Sequence, residues 1–502
     1  MTHSTHASSG LNILAPRSKF YQGPYGRLYA DLPPWSPMDI PEDKIDDHFW
    51  DIANQEMIEV PGKSPTEIAQ DPGLVRDLER RFNSRIPAGY TYFGQFVDHD
   101  ITFDPASSLM RQNDPNGLLN HRTPRLDLDN LYGAGPEASP YLYDQRDHDK
   151  FLIEPIGNSK FKDLPRNRQG RALIGDPRND ENAMISQLQT AFLMAHNELV
   201  DRARSMGIKP AFERARTTLR WLYQHVVWHD FVRRIASDEV YRSALTLDTT
   251  PDGRQVWNLG LKDVYRWKNQ PYMPVEFSVA AYRFGHSMVR NAYRTNVRRG
   301  LNKFVPIFDH SQTPHPDDLR GFRPMRVENV IQWDLFLPMT SSTSGFPQMA
   351  RKIDAKLSNA LFRLHAVPGH KSPLNVLAFR NLMRGWRFGL PSGSDIAKKY
   401  GLKPVAGMTQ DHDALWYYLL KEAESLPGNN AGQMLGRIGS IIVCATFAGL
   451  LKGDPQSILN IDPNWTPDQD PLLRPEDNKD PGNWTLAAII RLSGLPAQAG
   501  DF

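Results

Sequence analysis

From Thr66 onward the apolar residues recur at intervals of three and four, and runs that alternate apolar with polar are scarce. That spacing lines one stripe of a helix with apolar side chains, so the sequence predicts a mainly α-helical protein. The clearest segments are NAMISQLQTAFLMAHNELVDRARSM (182–206), FERARTTLRWLYQHVVWHDFVRRIAS (212–237), PVEFSVAAYRFGHSMVR (274–290) and MLGRIGSIIVCATFAGLLKG (434–453). Forty prolines among 502 residues predict long rigid loops between the helices. No internal repeat or biased linker divides the chain. One large helical domain over 21–502 is therefore expected, after a flexible polar tail at 1–20. Residues 20 to 75, rich in Pro, Trp and Asp, read as an irregular arm.

Several function classes are excluded early. A formal net charge of +2 gives no electrostatic case for nucleic acid or an anionic membrane. The first twenty residues lack the charged and apolar regions of a secretion signal, and no apolar run reaches the eighteen residues of a membrane span. A cytoplasmic monomer is the default expectation, with leaderless secretion as the alternative. The single cysteine, Cys444, rules out an internal disulfide, a zinc–thiolate cluster and a C-x-x-C-H haem attachment.

The chemistry concentrates in four segments. In YTYFGQFVDHDITF (90–103), Asp98, His99 and Asp100 stand between aromatic and aliphatic residues. If Phe93 to Ile101 is helical, Gln95, Asp98 and His99 share one face, and Asp100 is turned about 100° away. Taken alone, the stretch fits a salt-bridged helix end equally well. In LIGDPRNDENAM, Asp176 is an N-cap and Pro177 the first helical residue, which sets Arg178 and Glu181 on one face. AAYRFGHSMVR places Arg283 and His286 three apart on an apolar helix, and FRNLMRGWRFGLPSG does the same with Asn381 and Arg384.

These segments, in this order, resemble the animal-type haem peroxidases of the peroxidase–cyclooxygenase superfamily. Gly94, Gln95, Asp98, His99 and Asp100 match the family's Gly-Gln-x-x-Asp-His-Asp motif, and Arg178 and Glu181 its Arg-x-x-Glu. Arg283, Gly285 and His286 match Arg-x-Gly-His; Asn381, Arg384, Gly389, Leu390 and Pro391 match Asn-x-x-Arg…Gly-Leu-Pro. The likeness covers roughly residues 75 to 455. It implies a peroxidase using haem b and hydrogen peroxide, with phenols or the anions thiocyanate, iodide and bromide as electron donors. The lone cysteine suggests a bacterial member.

The resemblance also implies roles. His99 becomes the distal acid–base, suited by an ordinary pKa of about 6.5. Arg178 supplies a fixed positive charge over the haem, and Gln95 orders a distal water or anion. His286 becomes the ligand to haem iron, with Asn381 accepting a hydrogen bond from its other ring nitrogen. Arg283, and with it Arg384, pairs with haem propionates. Asp98 and Glu181 form ester bonds to the haem. Asn182 stands where the chloride-oxidising relative has a methionine, so a sulfonium link is excluded and strong chloride oxidation is not expected.

The resemblance further implies a calcium site formed by Asp100 and the loop RTPRLDLDNLYG, where Asp129 replaces the family's serine and adds negative charge. Thr123, Arg125, Asp127 and Asp129 alternate, so an extended loop would aim them to one side, with Arg125 contributing its carbonyl. Oxygen ligands suit Ca²⁺. The rival is a turn whose aspartates cap backbone amides. His225 and His229 have zinc-like spacing but no intervening Glu, and packing is the better account. His196 and Cys444 read as core residues. Two further functional readings stay open: a fatty-acid oxygenase of the same superfamily, and a non-catalytic adhesion protein. The first needs a radical tyrosine three residues before His286, where Arg283 stands; Tyr282 is one residue off.

Overall fold

The computed structural model describes residues 25–38, 40–103, 122, 124–267, 270–311, 316–340, 346–364, 373–479 and 483–502. Helices make up its body, as the spacing predicts. Those that position the site are α1 (Gly89–Ile101), α2 (Asp129–Tyr132), α3 (Ala183–Ser205), α4 (Ala211–Val226), α5 (Leu377–Arg387), α6 (Leu415–Glu424), α7 (Arg437–Gly453) and α8 (Leu486–Ser493). Among the described residues, strands occur only as six two-stranded ladders with two to five residues per strand. No described helix is long and apolar enough to cross a membrane.

α1 is apolar around most of its circumference, and ten of its thirteen residues are buried. A helix of that kind belongs inside a fold rather than on its surface. Phe96 stacks on Phe192 of α3 with ring centroids 4.4 Å apart, and Phe93 meets Tyr223 of α4 and Phe231 edge-on. A Cβ on Gly94 would lie 3.0 Å from the Phe231 ring, so a larger residue there would push the two segments apart. α3 then packs against α1, α4 and α8. One continuous core runs from Tyr25 to Leu495.

Two segments depart from the expected regular helix. Pro177–Asp180 is a separate 3₁₀ turn capped by Asp176, whose side chain accepts from the Arg178 amide. α3 starts afresh behind Asn182, whose Oδ1 accepts from the Ile185 amide at 3.1 Å. Glu276–Ala280 is a π-helical turn and Ala281–His286 a 3₁₀ turn, because Ala280 leaves the α region (φ −126°, ψ −71°). With three residues per turn, Arg283 and His286 stand directly above one another.

The arm expected to be irregular holds helices at Ile45–Asp51, Pro65–Ala69 and Pro72–Phe82. Its start is tied down. Tyr25 and Gly26 pair in parallel with Met273 and Pro274, and the Leu28 and Tyr29 amides donate to the buried Glu276 carboxylate at 3.0 and 3.2 Å. Arg27 donates to the carbonyls of Phe388 and Gly389 at 2.6 and 3.1 Å. The tail at 1–20 lies outside the described residues.

Candidate active site

α1, the turns at 177–180 and 281–286, and α5 enclose a cavity of about 470 Å³, within the ~300–1,000 Å³ usual for cofactor and small-molecule sites. Gln95, Asp98, His99, Arg178, Glu181, Arg283 and His286 all line it. Residues from segments nearly two hundred positions apart thus reach one space. Phe308, Leu361 and Leu377 give it apolar walls.

His99 is buried, and its Nδ1 lies 2.7 Å from Asn179 Oδ1. Burial, helped by the nearby Arg178 charge, pushes its pKa down to about 4. The imidazole is therefore neutral at neutral pH. Arg178 is held firmly: Nε and Nη2 donate to Asp176 at 3.0 and 2.8 Å, and Nη2 also donates to the His99 carbonyl at 3.2 Å. Its guanidinium lies 4.9 Å from the Phe103 ring centroid. Burial opposes the Arg178 charge, but the hydrogen bonds to Asp176 more than offset it. Asp176 also accepts from Arg122 Nη2 at 2.8 Å. Sequence reasoning saw Asp176 only as a cap; an acid two positions before a cavity arginine was the available signal.

Gln95 Nε2 donates to Glu181 Oε2 at 2.6 Å, and Asn182 Nδ2 donates to Gln95 Oε1 at 3.3 Å. Burial raises the Glu181 pKa. Asp98, facing the same cavity, accepts from Thr102 Oγ1 at 3.1 Å.

Asn381 of α5 reaches His286 as expected, 2.8 Å from Nδ1, but through Nδ2. The polarity is opposite to that inferred from the sequence. An end-for-end turn of the amide, which preserves its shape, presents Oδ1 instead and leaves the His286 Nε2 lone pair for a metal. Burial, then Arg283 and Arg380, pushes the His286 pKa to about 3. Arg283 donates from Nε to the Ser278 carbonyl at 3.0 Å, and burial with Arg384 nearby lowers its pKa to about 10. Arg384 stacks on Phe388 at 5.1 Å, whereas Arg380, one turn earlier on α5, lines the cavity. Sequence reasoning missed Arg380, which shares a helix with Asn381 but belongs to no motif.

The described part of the acidic loop, residues 124–129, is not the extended ladder expected. Leu128 adopts a left-handed conformation (φ 63°), and Asp129 opens the one-turn α2. The reason lies in the core: Leu128 is fully buried and its amide donates to Asp100 Oδ2 at 3.2 Å. A bulky residue held there is strained by about 1–3 kcal/mol. Tyr223 Oη donates to the same oxygen at 3.0 Å. Asp100 Oδ1 and Asp127 Oδ1 are buried without a hydrogen-bond partner. Burial, then Asp129, raises the pKa of both carboxyl groups. Arg125 stands in the same bend, and Thr123 lies outside the described residues. Among the described residues, no three His, Cys, Asp or Glu side chains converge into a metal cluster. The carboxylates thus have the charge and the unsatisfied oxygens that a cation would answer, without a closed cage.

His196, His225 and His229 behave as packing groups. His225 and His229 have ring centroids 4.5 Å apart, and burial lowers their pKa values to about 3 and about 4. His196 is fully buried between Tyr132 Oη (3.0 Å) and the Asp149 carbonyl (2.9 Å). Cys444 is buried, which raises its thiol pKa. Tyr282 does line the cavity, donating from Oη to the Gly94 carbonyl at 3.2 Å.

The fold is that of the peroxidase–cyclooxygenase superfamily. Peroxidase A from Dictyostelium discoideum superposes with a TM-score of 0.56 at 16% identity, covering 95% of this chain and 94% of that one. The fatty acid alpha-dioxygenase of Oryza sativa gives 0.55 at 15% identity, over 96% and 79%. Within that superfamily, this chain belongs to the animal haem peroxidase family, whose model matches residues 107–415. The match begins beyond α1, so the Gly94–Asp100 motif lies outside it. A peroxidase-like protein of Margaritifera margaritifera is 28% identical over 68% of this chain and 43% of its own length. Thyroid peroxidase of Rattus norvegicus is 26% identical over 57% and 31%. The chain therefore spans less than half of these curated relatives.

Proposed function

We propose that this chain is a haem peroxidase that reduces hydrogen peroxide and oxidises small donors, phenols or the anions thiocyanate, iodide and bromide. One observation carries the reading: His99, Arg178 and His286 line a single cavity. The donor set fits haem b, with an imidazole for iron, the Arg283 and Arg380 guanidiniums for two propionates and apolar walls for the ring. When bound, haem supplies an iron centre that exchanges electrons with peroxide and then with the donor.

The chain's own part is proton handling and charge placement. His286 offers Nε2 to the metal while Asn381 holds Nδ1. A neutral His99 takes the proton of the near peroxide oxygen on Nε2 and returns it to the far oxygen. Arg178, already fixed by Asp176, faces the charge that develops on that far oxygen without having to reorganise. Gln95 donates to anions or water beside it. Asp98 and Glu181 would anchor the ring by ester bonds, and a raised Glu181 pKa favours the neutral acid. Asp100, Asp127 and Asp129, with Thr123 and the Arg125 carbonyl, would hold Ca²⁺.

An absorption spectrum of the purified, haem-loaded protein with and without peroxide tests this directly. His99→Ala should keep the violet haem band and lose most peroxide activation; near-parent activation would refute the assignment. Because Tyr282 reaches the cavity, oxygen uptake with an unsaturated fatty acid belongs in the same experiment, and sustained uptake without peroxide would favour an oxygenase.

A further inference from the structure

We propose that Asn179 and Gln189 fix the tautomer of His99, leaving Nε2 as the bare nitrogen that serves the cavity. The inference rests on the reading of His99 as the cavity's acid–base. Four hydrogen bonds form a circuit that starts and ends on α1. Asn130 Nδ2 donates to the Phe96 carbonyl at 3.0 Å, and Gln189 Nε2 donates to the Asn130 carbonyl at 3.4 Å, the longest link. Asn179 Nδ2 donates to Gln189 Oε1 at 2.7 Å, and Asn179 Oδ1 faces His99 Nδ1 at 2.7 Å.

The polarity follows from the anchor. A backbone carbonyl can only accept, so the Gln189 amide must present its nitrogen to Asn130 and its oxygen to Asn179. Asn179 must then give Nδ2 to Gln189 and keep Oδ1 for His99. An oxygen at that place requires a hydrogen on Nδ1, and a neutral ring with Nδ1–H has its lone pair on Nε2. Asn130, Asn179 and Gln189 are fully buried, so water cannot repair a turned amide, and reversing any one sets like groups face to face. Asn130 belongs to α2, directly after Asp129. The circuit thus also ties the imidazole to the acidic loop.

Asn179 and Gln189 are positioning residues, and the test reads proton acceptance rather than turnover. Hydrogen cyanide must give up its proton to a base as it binds ferric haem, so its binding rate to the haem-loaded full chain reports Nε2. Asn179→Leu, similar in shape but without an acceptor, should slow binding about 10–100-fold, the usual loss when a partner that orients a ligand or base is removed. Asn179→Asp loses the link to Gln189 but keeps an oxygen toward Nδ1 whichever way it turns, and should bind clearly faster than the Leu variant. An Asp variant as slow as the Leu variant would mean that Asn179 only supports packing, and would overturn the proposal. Should Asn179→Leu fail to take up haem, Gln189→Leu, which does not touch His99, decides: slowed binding supports the circuit and an unchanged rate overturns it. His99→Ala separates the two readings. If it binds cyanide at the parent rate, the reading of His99 itself fails; if it is slow while Asn179→Leu is not, only the circuit fails.

Discussion

Asp176→Asn is the sharpest perturbation the site offers, because it removes one charge and almost no volume. The Asp176 side chain is completely buried and accepts from the Arg178 amide, from Arg178 Nε and Nη2, and from Arg122 Nη2. Breaking a fully buried pair costs about 3–5 kcal/mol. The Arg178 side chain is 30% exposed, so water recovers part of that, and about 2–4 kcal/mol is expected. Asparagine remains a good N-cap, so the roughly 1 kcal/mol of the cap is kept; Asp176→Ala should lose it as well. Urea unfolding followed by tryptophan fluorescence measures the loss. The sign with pH is fixed: Arg178 holds the Asp176 carboxyl below its usual range despite burial, so its contribution is full above the unfolded pKa of about 3.9 and fades below it. The gap between parent and variant should therefore close under acid. A guanidinium released from Asp176 should also slow reaction with peroxide by about 10–100-fold in stopped-flow absorption. A variant within about 0.5 kcal/mol of the parent at neutral pH, with an unchanged peroxide rate, would refute both the ion-pair argument and the placement of Arg178.

Three further outcomes are expected. Burial lowers the pKa values of His99, His196, His225, His229 and His286 to about 4, 4, 3, 4 and 3, so stability is full above the unfolded value of about 6.5 and is lost as pH falls toward 4. Asp100 and Asp127, raised by burial, act in the opposite sense; a urea midpoint that rises between pH 7 and 4.5 would mean the histidines do not dominate. Chelation should disturb the haem absorption spectrum by loosening α1 next to His99, whereas unchanged spectra and no metal by elemental analysis would remove the calcium assignment. Acidic organic solvent should leave haem on the parent protein and release more of it from Glu181→Gln and Asp98→Asn; complete extraction from the parent would exclude ester bonds.

The parts legible in the sequence were those with a period or a motif. The spacing placed α1 and α3 to within a few residues and α4 at its start, because each must bury a stripe or more of apolar surface; the run expected to reach Ser237 leaves the α-helix at Val226 for a π-helical turn over Val227–Val232. Gln95, His99 and His286 stood out because polar residues in apolar surroundings need a reason, whereas Arg178, set among Asp176, Asn179, Asp180 and Glu181, was legible only through its motif. The break at Ala280 was not legible, since π and 3₁₀ turns use the same residues as an α-helix and are chosen by tertiary contacts such as that of Glu276 with the arm. Leu128 gave no warning either: a left-handed leucine is a consequence of Asp100 and the core, not of local preference. Asn179, Gln189 and Arg380 escaped because amides and arginines on helices are ordinary, and only the fold shows which of them face a buried partner.

The grip on the His286 turn has a consequence for how the protein is made. One side is held by the amides of Leu28 and Tyr29 through Glu276, while the imidazole waits for Asn381, 95 residues downstream. On a ribosome that extends the chain in order, His286 emerges well before the residue that orients it, and contacts so distant in sequence close slowly. If the proposed function holds, capture of haem would be a late event in biosynthesis, because a nascent chain that stops short of α5 carries the histidine without Asn381 to hold it or Leu377 and Arg380 to complete the cavity.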